Sequence, residues 1–147
     1  MAVKPIPDNY PRLCPIFTAK DSVKAIDFYT RVLGAKERFR MSNPDGTVAH
    51  CELTFGDSLV MFGEPYEPTP TPVPQARLSL YVEDCDQVFK RAVAAGAVAK
   101  SEPKTQFYGD RMAKVLDPFG IEWSLVTHVE DVSEEEMNKR MAALGGG

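Results

Sequence analysis

His50 and Glu52 stand two residues apart in a segment, Thr47 to Phe55, whose composition predicts a β-strand. Side chains two apart on a strand share a face. An imidazole beside a carboxylate can move a proton near neutral pH, or hold the polar group of a ligand. The pair could also face solvent, or give two ligands to a metal for which no third is identified. Tyr108 is a third candidate for proton transfer. It lies in Phe107-Tyr108-Gly109-Asp110-Arg111, a loop leading into a strand. There an aromatic ring offers stacking area and one polar handle, and Arg111 a further ligand contact. The three cysteines, Cys14, Cys51 and Cys85, have no CxxC spacing. That argues against a disulfide framework or a zinc site. Cys51 and Cys85 read as small core hydrophobes. No Ser-His-Asp order, P-loop or GxGxxG pattern is present.

The elements that must position these residues fall into two similar halves. Five prolines, Pro65 to Pro74, crowd Glu64 to Gln75, where neither a helix nor a central strand survives. Before this linker, a β-like run over Leu13 to Ala19 ends in Lys20-Asp21. After it, Arg77 to Val82 ends in Glu83-Asp84. Each Asp opens a helical pattern and is expected to cap it with its carboxylate. Ala25, Ile26, Tyr29, Val32 and Leu33 share one face, then Gly34. Val88, Phe89, Ala92 and Val93 share another, then Gly96. Glycine supplies the left-handed turn that ends a helix. Strands follow at 36–41, 47–55 and 58–62 in the first half, and at 98–101, 111–116 and 121–127 in the second. Each half therefore reads β-α-β-β-β. Ile121 and Leu125 share Trp123's side of the last strand, which places Trp123 in the core and Ser124 on the opposite face. Ser133 and Glu136 form a capping box. Met137, Met141 and Leu144 mark the apolar face of a final short helix, which either covers a sheet edge or exchanges in a dimer.

A chain of 147 residues with 44% hydrophobic and 26% charged residues builds an ordinary globular core. The net charge of −4, with no basic stripe, excludes sequence-independent phosphate binding, so no nucleic acid partner is expected. No apolar run approaches a membrane span, so no membrane partner is expected. Met1 to Pro11 lacks the apolar core of a signal peptide. A cytoplasmic protein with free thiols is the expectation.

Ala25-Ile26-Asp27-Phe28-Tyr29 with Leu33-Gly34-Ala35, and Leu116-Asp117-Pro118-Phe119-Gly120, resemble the first helix and final hairpin of the glyoxalase / bleomycin-resistance / extradiol dioxygenase superfamily, the vicinal oxygen chelate proteins. Tyr108-Gly109-Asp110-Arg111, Trp123-Ser124-Leu125 and Thr127 to Val132 resemble its PhnB-like branch. The resemblance covers Leu13 to Met141. It implies an α+β fold of two βαβββ modules, their curved mixed sheets forming a cup, with a C-terminal helix added. The expected layout is a single domain over 1–147: module 1 over about 12–63, the linker over 64–75, module 2 over about 76–128 and the helical tail over 129–147. A homodimer is implied as well.

Metal-dependent relatives place His or Glu at four cup positions, where a divalent ion polarises a bound oxygen. Carried over, those positions are Cys14, Met61 or Val60, Arg77 and Ser124. None is His, Asp or Glu, and a fixed guanidinium at Arg77 repels a divalent ion. No metal and no cofactor are expected. Arg77 becomes an anion anchor, or the partner of Glu52 or Glu122. The implied function is metal-independent binding of a small organic ligand, with Cys14, His50, Glu52, Met61, Arg77, Tyr108, Arg111 and Ser124 as the contact set. The alternative is a lyase or dioxygenase-like enzyme acting on a small carbonyl or aromatic compound, with or without a divalent metal.

Overall fold

The computed structural model describes residues 8–11, 13–65 and 76–145. The linker beyond Pro65, Arg12 and the first seven residues lie outside the described residues. The chain divides into two compact units between Gln75 and Ala76, at the end of the proline-rich stretch.

The first unit holds β1 (Ile16–Thr18), α1 (Ser22–Leu33), β2 (Lys36–Ser42), β3 (Val48–Phe55) and β4 (Ser58–Gly63). Its sheet runs β1-β4-β3-β2, with β1 parallel to β4 and the other pairs antiparallel. The first strand is shorter than its β-like composition suggests. Pro15 has no N–H to give a ladder, though its carbonyl still accepts from Met61 at 2.9 Å. Tyr29 on α1 meets Phe17 and Phe62 edge-on, at ring distances of 6.4 and 5.6 Å, and those two stack on each other at 5.1 Å. Phe17 and Phe62 therefore define the helix-covered face. Strand alternation then puts Ile16, Thr18, His50, Glu52 and Met61 on the other face.

Asp21 does not cap α1 as expected. Its backbone is left-handed, with φ of 66°, and its side chain accepts no amide; it pairs with Lys24 at 3.1 Å instead. The cap comes from Glu64, just past β4. Its carboxylate accepts from the backbone N–H of Asp21 at 3.1 Å and of Ser22 at 2.6 Å. A remote anion serves the helix N-terminus as well as a local one. Gly34 ends the helix at φ of 77°, as its position predicts.

The second unit repeats the plan with β5 (Ala76–Tyr81), α2 (Cys85–Ala94), β6 (Val98–Thr105), β7 (Asp110–Leu116) and β8 (Ile121–His128), then α3 (Glu134–Gly145). The sheet order is β5-β8-β7-β6, with β5 parallel to β8. Here Asp84 caps its helix through the N–H of Gln87 at 3.2 Å. β6 runs past the expected Ser101 to Thr105. It is an edge strand, and register shifts around Ser101 absorb Pro103. Trp123, Ile121 and Leu125 are buried together in the core, as the alternation predicts. The amide of Glu136 bonds the Ser133 hydroxyl at 3.2 Å, but the Glu136 carboxylate goes to Arg140 rather than back to the cap. Arg140 also bonds Glu130 and the Phe107 carbonyl, which ties α3 to its own unit. Met141 and Leu144 remain exposed. Among the described residues no helix is long and apolar enough to cross a membrane.

Candidate functional site

The uncovered face of the first sheet brings three expected residues together. Glu52 lies opposite Met61 in the β3–β4 register, and His50 Nε2 is 3.3 Å from its carboxylate. Glu52 is only 4% exposed. Its charge is met from the neighbouring strand by Arg38 Nε at 3.5 Å, and the Tyr10 hydroxyl donates to it across 2.8–3.0 Å. The Arg38 guanidinium lies over the Tyr10 ring, 4.3 Å from its centre. Accepting that hydrogen bond, the Glu52 carboxylate holds the Tyr10 phenol above its usual range, and burial adds to the shift. Phe39 lies against His50 at a ring distance of 6.2 Å.

Beside this cluster is a recess of about 530 Å³, lined by Ile16, Thr18, Met41, His50 and Gly63, with Phe62 and Glu64 at the end of β4. It is mostly apolar. Because Glu64 is committed to the α1 cap, His50 is its main polar handle.

Cys14 is half-buried at the approach to β1, and its thiol donates to the Pro11 carbonyl at 3.2 Å. Burial pushes the Cys51 thiol up to about 12, which leaves it an inert core side chain at neutral pH. The β1–β4 register settles the choice between Val60 and Met61. Ile16 pairs with Met61, as Ser79 pairs with Ser124, so Met61 is the counterpart of Ser124. Val60 is buried on the helix side.

In the second unit the expected contacts do not converge. Arg77 is paired with Glu122 at 3.2 Å on the uncovered face, which also carries Ser124. Arg111 points the other way. Its guanidinium grips Asp86 of α2 in two bonds of 2.7 and 2.9 Å, so it ties helix to sheet instead of joining Arg77 and Ser124. Tyr108 packs edge-on against Phe107 in the β6–β7 loop. Gly109, which follows Tyr108, has φ of 99°, and a Cβ there would overlap the Glu130 carbonyl.

His128 forms a clasp on the same face. Its Nδ1 meets Asp110 and its Nε2 meets Asp131, each at 2.8 Å, and Tyr81 donates to Asp110 at 3.3 Å. Hydrogen bonds to Asp131 and then to Asp110 raise the His128 pKa above its ordinary 6.5. A raised imidazole stabilises the fold fully below the unfolded value and loses that contribution as pH rises through the folded one. Thermal denaturation should therefore show wild type holding its full advantage over His128→Gln below the ordinary imidazole value of 6.5 and losing it as pH rises above that value. A constant difference on both sides of that value would mean that the imidazole is not charged in the clasp.

The four positions that hold metal in metal-dependent relatives offer a thiol, a thioether, a guanidinium and a hydroxyl, and no imidazole or carboxylate. That donor set does not fit a divalent ion. Among the described residues no group of three or more His, Cys, Asp or Glu side chains could hold one.

Two βαβββ units, each with a first strand parallel to its last, define a class of paired-module proteins. The family model of the Glyoxalase/Bleomycin resistance protein/Dioxygenase superfamily matches residues 15–125, and the chain belongs to that superfamily. It is similar to an uncharacterised protein of Mycobacterium bovis, 34% identical over 146 residues, covering 93% of this chain and 96% of that one. Among solved structures it is similar to a PhnB protein from Bacillus cereus, with TM-score 0.68 and 18% identity over 80% of this chain and 99% of that one. It is also similar to TioX from Micromonospora sp. ML1, with TM-score 0.63 and 24% identity over 84% and 100%. At those identities the solved structures share the fold.

Two contributors to the site were not found from sequence. Tyr10 reaches Glu52 across 42 residues from a segment without strand pattern. Arg38 leaves no signal beyond being one of several charges in β2.

Proposed function

We propose that this chain is a metal-independent small-molecule-binding protein of the glyoxalase/bleomycin-resistance type, working in the cytoplasm as a homodimer. The single observation that carries the reading is the first unit's recess. Its volume of about 530 Å³ suits a small organic ligand. Ile16 and Met41 supply apolar wall, and His50 supplies a hydrogen-bonding group at one side. A ligand with an apolar body and one polar or anionic group matches that lining. The four side chains at the metal positions support metal independence through their chemistry.

The test uses anilinonaphthalenesulfonate, an aromatic anion, on protein dialysed against a chelator. Enhanced, saturable fluorescence is expected, unchanged by EDTA. Met41→Glu adds a negative charge to the wall at a half-exposed position and should weaken binding about tenfold. Lack of saturable binding would sink the reading. So would zinc, nickel, iron or manganese retained near one per chain and required for binding. The His50–Glu52 contact favours one second reading, proton transfer on a small carbonyl compound. Turnover that disappears in His50→Ala would select it.

A further inference from the structure

Glu52 is a buried carboxylate in the middle of a sheet, and such a group is stable only when charge and hydrogen bonds are supplied to it. Its partners have different origins. His50 and Arg38 belong to the sheet itself. Tyr10 belongs to residues 8–11, which among the described residues form no strand. A groove of about 420 Å³ runs beside that segment, lined by Tyr10, Pro11, Arg38, Thr54 and Leu59 among others. The sheet-borne groups recognise every part of a phenol. The carboxylate accepts its hydroxyl, and the guanidinium covers its ring face.

We propose that Glu52 and Arg38 form a phenol-binding cradle which the chain's own Tyr10 fills, and that the protein's small-molecule ligand carries a phenolic hydroxyl that takes Tyr10's place. This rests on the binding function proposed above and names the class of ligand. His50 joins the two places, since it lines the recess and touches Glu52. Exchange of one phenol for another leaves no buried group unpaired. The cost is confined to releasing the N-terminal segment, so the ligand shifts an existing equilibrium between filled and vacated cradle. Tyr10 thereby also selects against ligands that lack a hydroxyl, because they would displace it and leave Glu52 short of a donor.

The experiment is rescue of Tyr10→Ala by p-cresol, the tyrosine side chain as a free molecule. Tyr10→Ala should lower Tm, and millimolar p-cresol should recover most of the loss. Wild type, with its cradle filled, should gain much less. Toluene, the same ring without the hydroxyl, should not rescue. Tyr10→Ala combined with Glu52→Met, which removes the acceptor, should lose the response to p-cresol. A folded Tyr10→Ala protein that p-cresol does not stabilise would overturn the proposal. Equal stabilisation by toluene, or of wild type, would do the same. Should Tyr10→Ala not fold, Tyr10→Leu keeps apolar bulk against Arg38 and is judged by the same comparison. Anilinonaphthalenesulfonate binding separates the two readings. Loss of rescue with that probe still bound defeats the cradle alone, and rescue without probe binding defeats the recess alone.

Discussion

Asp117→Ala is expected to cost roughly 4 kcal/mol, because it removes the carboxylate that accepts from three donors at once, two of these bonds being buried. One carboxylate oxygen accepts from the amides of Phe119 at 2.8 Å and Ile121 at 2.9 Å, and the other accepts the Trp123 indole N–H at 2.8 Å. Asp117 is 3% exposed and Trp123 2%, so water cannot take over without opening the hairpin. A loss of that size is a large share of a domain's whole stability. Asp117→Asn should be milder, at about 1–3 kcal/mol, since its amide can keep one oxygen but must turn an N–H toward one of the donors. The chain's single tryptophan is the indole in question, so its fluorescence reports the site directly. Urea titrations followed at that fluorophore should rank wild type, Asn and Ala in that order. An Ala variant within 1 kcal/mol of wild type, by the usual span of a single hydrogen bond, would show that the bonds carry no net stability.

The second large effect is expected at Tyr29. Its ring is fully buried and meets Phe17, Phe28 and Phe62 edge-on. Removing an aromatic side chain from such a cluster costs about 3–5 kcal/mol, through lost transfer energy plus the cavity left behind. The consequence reaches the site. Phe17 and Phe62 stand between Tyr29 and the recess, and both help line it. Without the ring behind them they should relax toward α1 and change the recess wall. Tyr29→Ala is therefore expected to combine a lowered urea midpoint with weakened anilinonaphthalenesulfonate binding, measured where the variant is still folded. Tyr29→Phe keeps the ring and should retain the binding. Full binding by a destabilised but folded Tyr29→Ala would separate the recess from the aromatic cluster.

The fold was legible in this sequence because its signals are local and repeated. The hairpin residues Asp117 to Gly120, the helix-ending Gly34 and the alternation around Trp123 each depend on neighbours within a few residues. Their recurrence on both sides of the proline-rich stretch points to two related units. The candidate site was legible only in part. His50 and Glu52 share a strand face by period alone, and the loss of metal-type donors at Cys14, Met61, Arg77 and Ser124 follows from side-chain chemistry. Arg111 could not be placed from sequence. Strand alternation says that it opposes its neighbours but not which face α2 covers, and Asp86 decided that.

Sequence by itself therefore determined the two βαβββ units, their core residues and the chemistry missing from the metal positions. Tertiary structure decided who partners whom. Glu64, not Asp21, caps α1, because β4 ends beside that helix's free amides. A register shift between Glu37 and Phe39 turns Phe39 and Met41 to the face of Glu52 and His50, where unbroken alternation would leave them on the face of Glu37. Tyr10 completes the Glu52 cluster from 42 residues away. Partners of this kind are chosen by where a buried charge finds donors in three dimensions, and no periodicity along the chain encodes that distance.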